Sequence, residues 1–175
     1  MTKSVLLFLA LPLALAGCAQ AGTSGSGVTV ASAALADAKG ATAGAARVVQ
    51  QGKGLTLKIE ASGLTPGAHG LHFHAVGLCE APAFTTAGAH LNPLGRQHGT
   101  ENPAGSHMGD LPNLIAGTDG KASAEVPLGL AALGFAQALL DADGAAVVIH
   151  AGPDDHRTDP TGNSGARAVC GVFRR

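Results

Sequence analysis

Leu55-Thr56-Leu57-Lys58-Ile59-Glu60 alternates apolar and polar residues without a break. In an extended chain successive side chains face opposite ways, so Leu55, Leu57 and Ile59 share one face while Thr56, Lys58 and Glu60 share the other. The stretch therefore predicts a strand with one face on a core and one in water. Working outward, similar runs recur. Val28-Thr29-Val30-Ala31 and Ala45-Ala46-Arg47-Val48-Val49 flank the turn Asp37-Ala38-Lys39-Gly40. Leu71 to His74 follows Thr65-Pro66-Gly67, Lys121 to Val126 follows Asp119-Gly120, and Ala146-Val147-Val148-Ile149 follows Asp141-Ala142-Asp143-Gly144. Val169 to Phe173 closes the chain. About seven or eight short strands punctuated by Gly, Asp and Pro predict an all-β antiparallel sandwich or barrel.

The composition fits one domain. Of 175 residues 26 are Gly and five are Phe, with no Trp or Tyr, so Val, Leu, Ile and Ala must build the core. The formal charge is −1, and residues 1–17 contribute only Lys3, which leaves the remainder one unit more negative. With no basic stripe and no interleaved aromatics, no nucleic-acid partner is expected.

The first residues read as an export signal. Lys3 precedes the apolar run from Val5 to Leu15, followed by Ala16-Gly17-Cys18. The run is short and interrupted by Pro12, which counts against a membrane span. Leu15-Ala16-Gly17-Cys18 resembles the bacterial lipobox, in which the Cys is acylated and becomes the first mature residue. Ala-Gln-Ala-Gly-Thr-Ser-Gly-Ser-Gly after it lacks apolar periodicity and suits a flexible tether. The expected division is a signal at 1–17, a lipidated Cys18 with its tether at 18–27, and a folded domain at 28–175. Three Cys is an odd count for an exported protein. If Cys18 carries lipid, Cys79 and Cys170 remain as one pair in an oxidising compartment.

Between His74 and Lys121 the chain has almost no strand character, which in a compact domain marks a functional loop. The loop holds Cys79, His90, His98, His107 and Asp110. His72 and His74, two apart on a strand, project from one face, and Phe73 points the other way. Two imidazoles on one strand make a preorganised pair of metal ligands. His90, His98, His107 and Asp110 supply the ligand types and number of a closed tetrahedral zinc site. His150 ends an apolar strand, where its ring can meet His72 and His74.

Gly70-Leu71-His72-Phe73-His74, Gly88-Ala89-His90-Leu91-Asn92-Pro93, His98-Gly99, His107-Met108-Gly109-Asp110-Leu111-Pro112-Asn113, Val148-Ile149-His150 and the run Gly162 to Val172 resemble, in order and spacing, the motif series of the copper/zinc superoxide dismutases. The likeness extends from about Val28 to the C-terminus. It implies a Greek-key β-sandwich or barrel of about eight strands with long metal-binding loops. It implies copper on His72, His74, His90 and His150 and zinc on His90, His98, His107 and Asp110, one of each metal per subunit, with His90 shared. It further implies a Cys79–Cys170 disulfide, Arg167 as the anion-binding residue beside copper, and Asp154 as a hydrogen-bond partner of one copper and one zinc ligand. The implied activity is dismutation of superoxide to oxygen and hydrogen peroxide, with Arg167 and His90 as its catalytic residues and His90 releasing copper and carrying a proton. The remaining candidates read as structural: His69 as a surface or backbone-bonded ring, His156 as solvated, Arg96 and Arg157 as surface charges.

Two other readings stand beside this one. An envelope copper- or zinc-binding protein on the same fold without dismutase activity is favoured by loss of a copper ligand or of the Arg, and neither is lost here. A purely adhesive sandwich leaves the histidines unexplained. The expected location is extracytoplasmic, lipid-anchored to the outer face of a membrane or within the periplasm or envelope, as a monomer or homodimer.

Overall fold

The structure, a computed structural model, describes residues 27–128 and 132–175. The expected signal segment, Cys18 and residues 19–26 of the expected tether lie outside the described residues.

β1 (Val28–Asp37) and β2 (Thr42–Gln51) form a long hairpin. The Asp37 carboxylate closes it by accepting the N–H groups of Lys39 and Ala41 at 2.8 and 2.9 Å. β3 (Gly54–Ala61) follows, and its alternation is realised as read, with Leu55, Leu57 and Ile59 buried. Next come β4 (Gly67–His69), β5 (Leu71–His74), β6 (Leu114–Ala116) and β7 (Ala122–Pro127). A helix α1 (Ala132–Leu139) precedes β8 (Ala146–His150) and β9 (Arg167–Val172).

All pairings are antiparallel, in the order β4-β6-β7-β3-β2-β1-β9-β8-β5. β3 neighbours β7 rather than β4, and β1 neighbours β9, which gives the crossovers of a Greek key. The two edge strands, β4 and β5, are separated in the chain by Gly70 alone. The covalent chain itself thus joins the edges and curls the sheet into a nearly closed barrel. A Cβ on Gly70 would come within 2.6 Å of Ser164 Oγ, so the seam requires glycine.

Inside lies a core of small aliphatic side chains around Phe73, Phe135 and Phe173. The Phe73 ring meets those of Phe135 and Phe173 at 5.3 and 5.5 Å between centroids. A smaller cluster of Phe84, Ala87, Ala146, Val148 and Cys170 sits on the outer face of β8, beneath the loop that Cys79 ties to Cys170. Every residue of β8 is consequently buried, which is why Ala146 to Ile149 are continuously apolar before His150.

The described residues form nine strands, close to the expected eight. β4 and β6 are three residues each, too short to carry an alternation. α1 was not expected. Its Phe135 and Leu139 bury themselves in the main core.

Candidate metal centre

β5 carries His72 and His74 and pairs with β8 on one side, in register Leu71↔Ile149 and His72↔Val148. His150 ends β8, and its N–H donates to Gly70 O at 2.8 Å. The other edge of β5 is paired by the long loop. Phe73 N–H donates to Gly109 O (2.9 Å), Leu91 N–H to Phe73 O (2.8 Å) and Ala75 N–H to Ala89 O (2.9 Å). These bonds set His90 opposite His74 and Asp110 opposite His72. Residues opposite one another in an antiparallel ladder share a face. All four side chains therefore lie on the face that Phe73 turns away from. A Cβ on Gly109 would overlap Phe73 O, so the approach of the loop depends on that glycine.

The rings are fixed by what their outer nitrogens bond. His74 Nδ1 lies 2.9 Å from Gly88 O and His150 Nδ1 3.1 Å from Gly165 O. A carbonyl only accepts, so these nitrogens carry the ring protons. His72 Nε2 donates to Asp154 Oδ2 at 2.6 Å. What remains are the lone-pair nitrogens His72 Nδ1, His74 Nε2 and His150 Nε2, together with His90 Nε2, all buried with no hydrogen-bond partner. The four residues present ligand atoms within 4.8 Å of one another. Buried polar atoms normally find partners. Four orphans converging on one point fit a metal ion that prefers imidazole.

A second convergence adjoins the first. Gly99 N–H and His107 N–H, each at 2.9 Å, hold Asp110 Oδ2 and leave Oδ1 facing three rings. His90, His98 and His107 bring their Nδ1 atoms to 3.1, 3.0 and 3.2 Å from that oxygen. His107 Nδ1 is 3.4 Å from His90 Nδ1. A tetrahedron with zinc bonds of about 2.0–2.1 Å has edges of roughly 3.3 Å, so these separations are those of a tetrahedral donor set. His98 gives its Nε2 proton to Asp154 Oδ1 at 3.0 Å, so its Nδ1 turns a lone pair toward Asp110. Facing lone pairs repel, and a cation between them removes the repulsion. His72 also lies within 4.8 Å of His90, His98 and Asp110.

Asp154 links the two sets through His72 and His98, and its side chain has no solvent exposure. Burial raises the Asp154 and Asp110 carboxyls, but hydrogen bonds from His72 and His98 to the first, and from His90 and Gly99 to the second, outweigh it and keep both ionised. Burial drives the rings the other way. It lowers His74 to about 2 and His90 and His150 to about 4, and it lowers His72 as well. At neutral pH these rings are uncharged and able to ligate.

Beside the sets opens a cleft of about 530 Å³, lined by Gly88, His90, Arg96, His107, Asp159 and Arg167. The Arg167 guanidinium is locked by two carbonyls of the disulfide loop, Phe84 O and Gly88 O, each at 2.6 Å. Cys79 and Cys170 are bonded across 5.8 Å between Cα atoms.

Other sequence readings divide. Of the two readings of His69 the backbone-bonded one is realised: the ring is buried, its Nδ1 2.7 Å from His150 O and its Nε2 2.8 Å from Thr65 O. His156 is only partly solvated. It is half-buried, with its N–H on Asp154 Oδ1 at 2.7 Å and its Nε2 3.0 Å from Asn113 Nδ2. Arg157 pairs with Glu101 at the surface (2.6 Å), while Arg96 faces the cleft. Asn113 carries no signal in the sequence beyond its place in a motif, because its partners come from residues 154–156.

A nearly closed β-barrel with two adjoining imidazole and carboxylate donor sets on one face defines a two-metal barrel protein. A family model described as copper/zinc superoxide dismutase (SODC) matches residues 42–173. A copper/zinc superoxide dismutase of Caulobacter vibrioides is 48% identical over 139 residues, covering 77% of this chain and 80% of that protein. One from Aquifex aeolicus is 40% identical, covering 80% and 84%. The crystal structure of a superoxide dismutase-like protein from Bacillus subtilis superposes with a TM-score of 0.74 at 40% identity, covering 81% of this chain and 96% of that one. The chain belongs to the copper/zinc superoxide dismutase family. It is an oxidoreductase of that type, and its metals are copper and zinc.

Proposed function

We propose that the first donor set holds copper through His72, His74, His90 and His150, and the second holds zinc through His90, His98, His107 and Asp110. The carrying observation is the convergence of four partnerless buried nitrogens in one set and of three Nδ1 atoms on a single Asp110 oxygen in the other. His107 is preferred to His72 as a zinc ligand, because the proton on His72 Nε2 is committed to Asp154 and its free Nδ1 belongs with the first set. His90 serves both, one nitrogen to each.

The reaction converts two superoxide anions and two protons into dioxygen and hydrogen peroxide. Copper supplies one-electron redox chemistry, and zinc supplies a fixed charge without redox. Arg167 attracts and orients the anion, its donors aligned by Phe84 O and Gly88 O. His90 takes up a proton at Nε2 and delivers it to the departing peroxide. Asp154 keeps the protons of His72 and His98 on Nε2, so that Nδ1 of each stays free to ligate. His74→Ala is expected to abolish copper binding and nearly all dismutation while leaving zinc in place, measured by metal analysis and superoxide consumption. A copper-free variant with full activity would overturn the assignment.

The proposed setting is extracytoplasmic, with the chain anchored by acyl groups on Cys18. The signal-like residues 1–17 and the Gly/Ser-rich segment after the Cys support it, as does the Cys79–Cys170 bond, which persists in oxidising compartments.

A further inference from the structure

We propose that Asn113 is a positioning residue that fixes Asp154 and so couples the two metal sites, an inference that rests on the metal assignment above. The side chain acts as a substitute peptide. Asn113 Oδ1 accepts Asp154 N–H at 2.8 Å, and Asn113 Nδ2 donates to Asp154 O at 2.9 Å. These two bonds fix the orientation of the amide, because an N–H must meet the oxygen and a carbonyl must meet the nitrogen. The second proton of Nδ2 goes to His156 Nε2 at 3.0 Å, which leaves the ring proton of His156 on Nδ1, 3.8 Å from Asp154 Oδ2. His156 N–H holds Asp154 Oδ1 at 2.7 Å.

Asp154 lies in an irregular connection after β8, with no ladder of its own. Its carboxylate must nonetheless meet His72 Nε2 and His98 Nε2 at once. Asn113 directly precedes β6, so the amide ties the Asp154 peptide to the barrel. Without it the backbone at 154 keeps no side-chain anchor among the described residues, and the carboxylate swings with its loop. His72 and His98 would then lose the acceptor that sets their tautomers, one on each metal.

The test uses the metal-free full chain titrated with zinc against a chelator, with cobalt(II) in the zinc site and copper(II) in the copper site as spectroscopic probes. Wild-type protein should take up two metals per chain; fewer would overturn the metal assignment, and this proposal with it. Asn113→Ala should weaken zinc binding about 10–100-fold, the usual range for residues that hold a ligand in place. It should also shift the cobalt(II) visible spectrum and the copper(II) paramagnetic resonance. Asp154→Asn should do the same, and the double variant should lose no more than the worse single one. Additive losses, or unchanged affinity in Asn113→Ala, would overturn the proposal. If Asn113→Ala does not fold, Asn113→Asp keeps the size and the acceptor for Asp154 N–H but not the donor to Asp154 O. It should also lose zinc affinity, and wild-type affinity there overturns the proposal. His156→Asn keeps the N–H on Asp154 and suits the positive φ of 60° at that position, so its zinc affinity should stay near wild type. A loss matching that of Asn113→Ala would move the role to the His156 ring and overturn the assignment to Asn113.

Discussion

A buried imidazole ligates only if its lone pair, and not its proton, points at the metal. The carbonyls of Gly88 and Gly165 and the carboxylate of Asp154 make that choice for His74, His150 and His72. Keeping the rings neutral has a consequence for the metal-free protein. Folded His90 and His150 titrate at about 4 and His74 at about 2, while unfolded rings titrate near 6.5. Between these values the unfolded chain binds protons that the folded domain refuses, so stability falls as pH drops below about 6.5, by roughly 1.4 kcal/mol per pH unit for each ring. Asp110 and Asp154, held below the carboxylate range, extend the loss through and below about pH 4. The melting temperature of the metal-free domain should be flat above pH 7 and fall steadily from pH 6 to 4. A flat profile across that window would mean that the folded rings are already protonated. Arg167 makes the other residue-level prediction. Arg167→Ala should keep both metals yet slow dismutation about 10–100-fold and weaken its ionic-strength dependence, since a local positive focus draws the anion. Arg167→Lys should fall between, because an ammonium lacks the fork that bonds both carbonyls.

At the level of elements, β5 is the organiser. Its inner edge pairs with β8 and its outer edge with residues 89–91 and 109, so the long loop is built on as a discontinuous strand. The disulfide pins the first part of that loop over β8 and supports the carbonyls of Phe84 and Gly88, on which Arg167 hangs. Closing 91 residues contributes about 4–5 kcal/mol in the chain-entropy account. Cys79→Ser and Asp110→Ala should each lower the melting temperature and speed hydrogen exchange across residues 75–115. Cys79→Ser should in addition reduce activity by more than it reduces metal content, because the carbonyls that align Arg167 are released. Unchanged melting temperatures in both variants would show that neither the disulfide nor zinc holds the loop.

For the whole molecule, the site and the proposed anchor are separable. The donor sets and cleft are built from residues 72–167, and among the described residues the first strand begins at Val28, well after Cys18. Superoxide crosses bilayers poorly because its charge is costly to desolvate, so a dismutase on the outer face meets superoxide made outside. Cys18→Ser should abolish incorporation of labelled fatty acid and shift the protein from the membrane to the soluble fraction, or block its processing. Activity per metallated domain should remain. A wild-type protein that takes up no label and fractionates as soluble would end the anchor reading and leave the enzyme untouched.

By itself the sequence determined the strands long enough to alternate, the shared face of His72 and His74, and the lack of a strand pattern through most of the segment between His74 and Lys121, because these depend on neighbours close in the chain. The disulfide and the proposed ligand sets rest, at the level of sequence, on motif order rather than geometry. Residues 67–69 and 114–116 are too short for any period, and 132–139 reads as a helix only once Phe135 and Leu139 have a core to enter. Burial of His69, engagement of His156 and the grip of Asn113 on Asp154 join residues tens of positions apart. Each depends on where a loop returns after the sheet has closed at Gly70. Only the tertiary structure decides that, because a hydrogen bond between distant segments leaves no periodic trace in either.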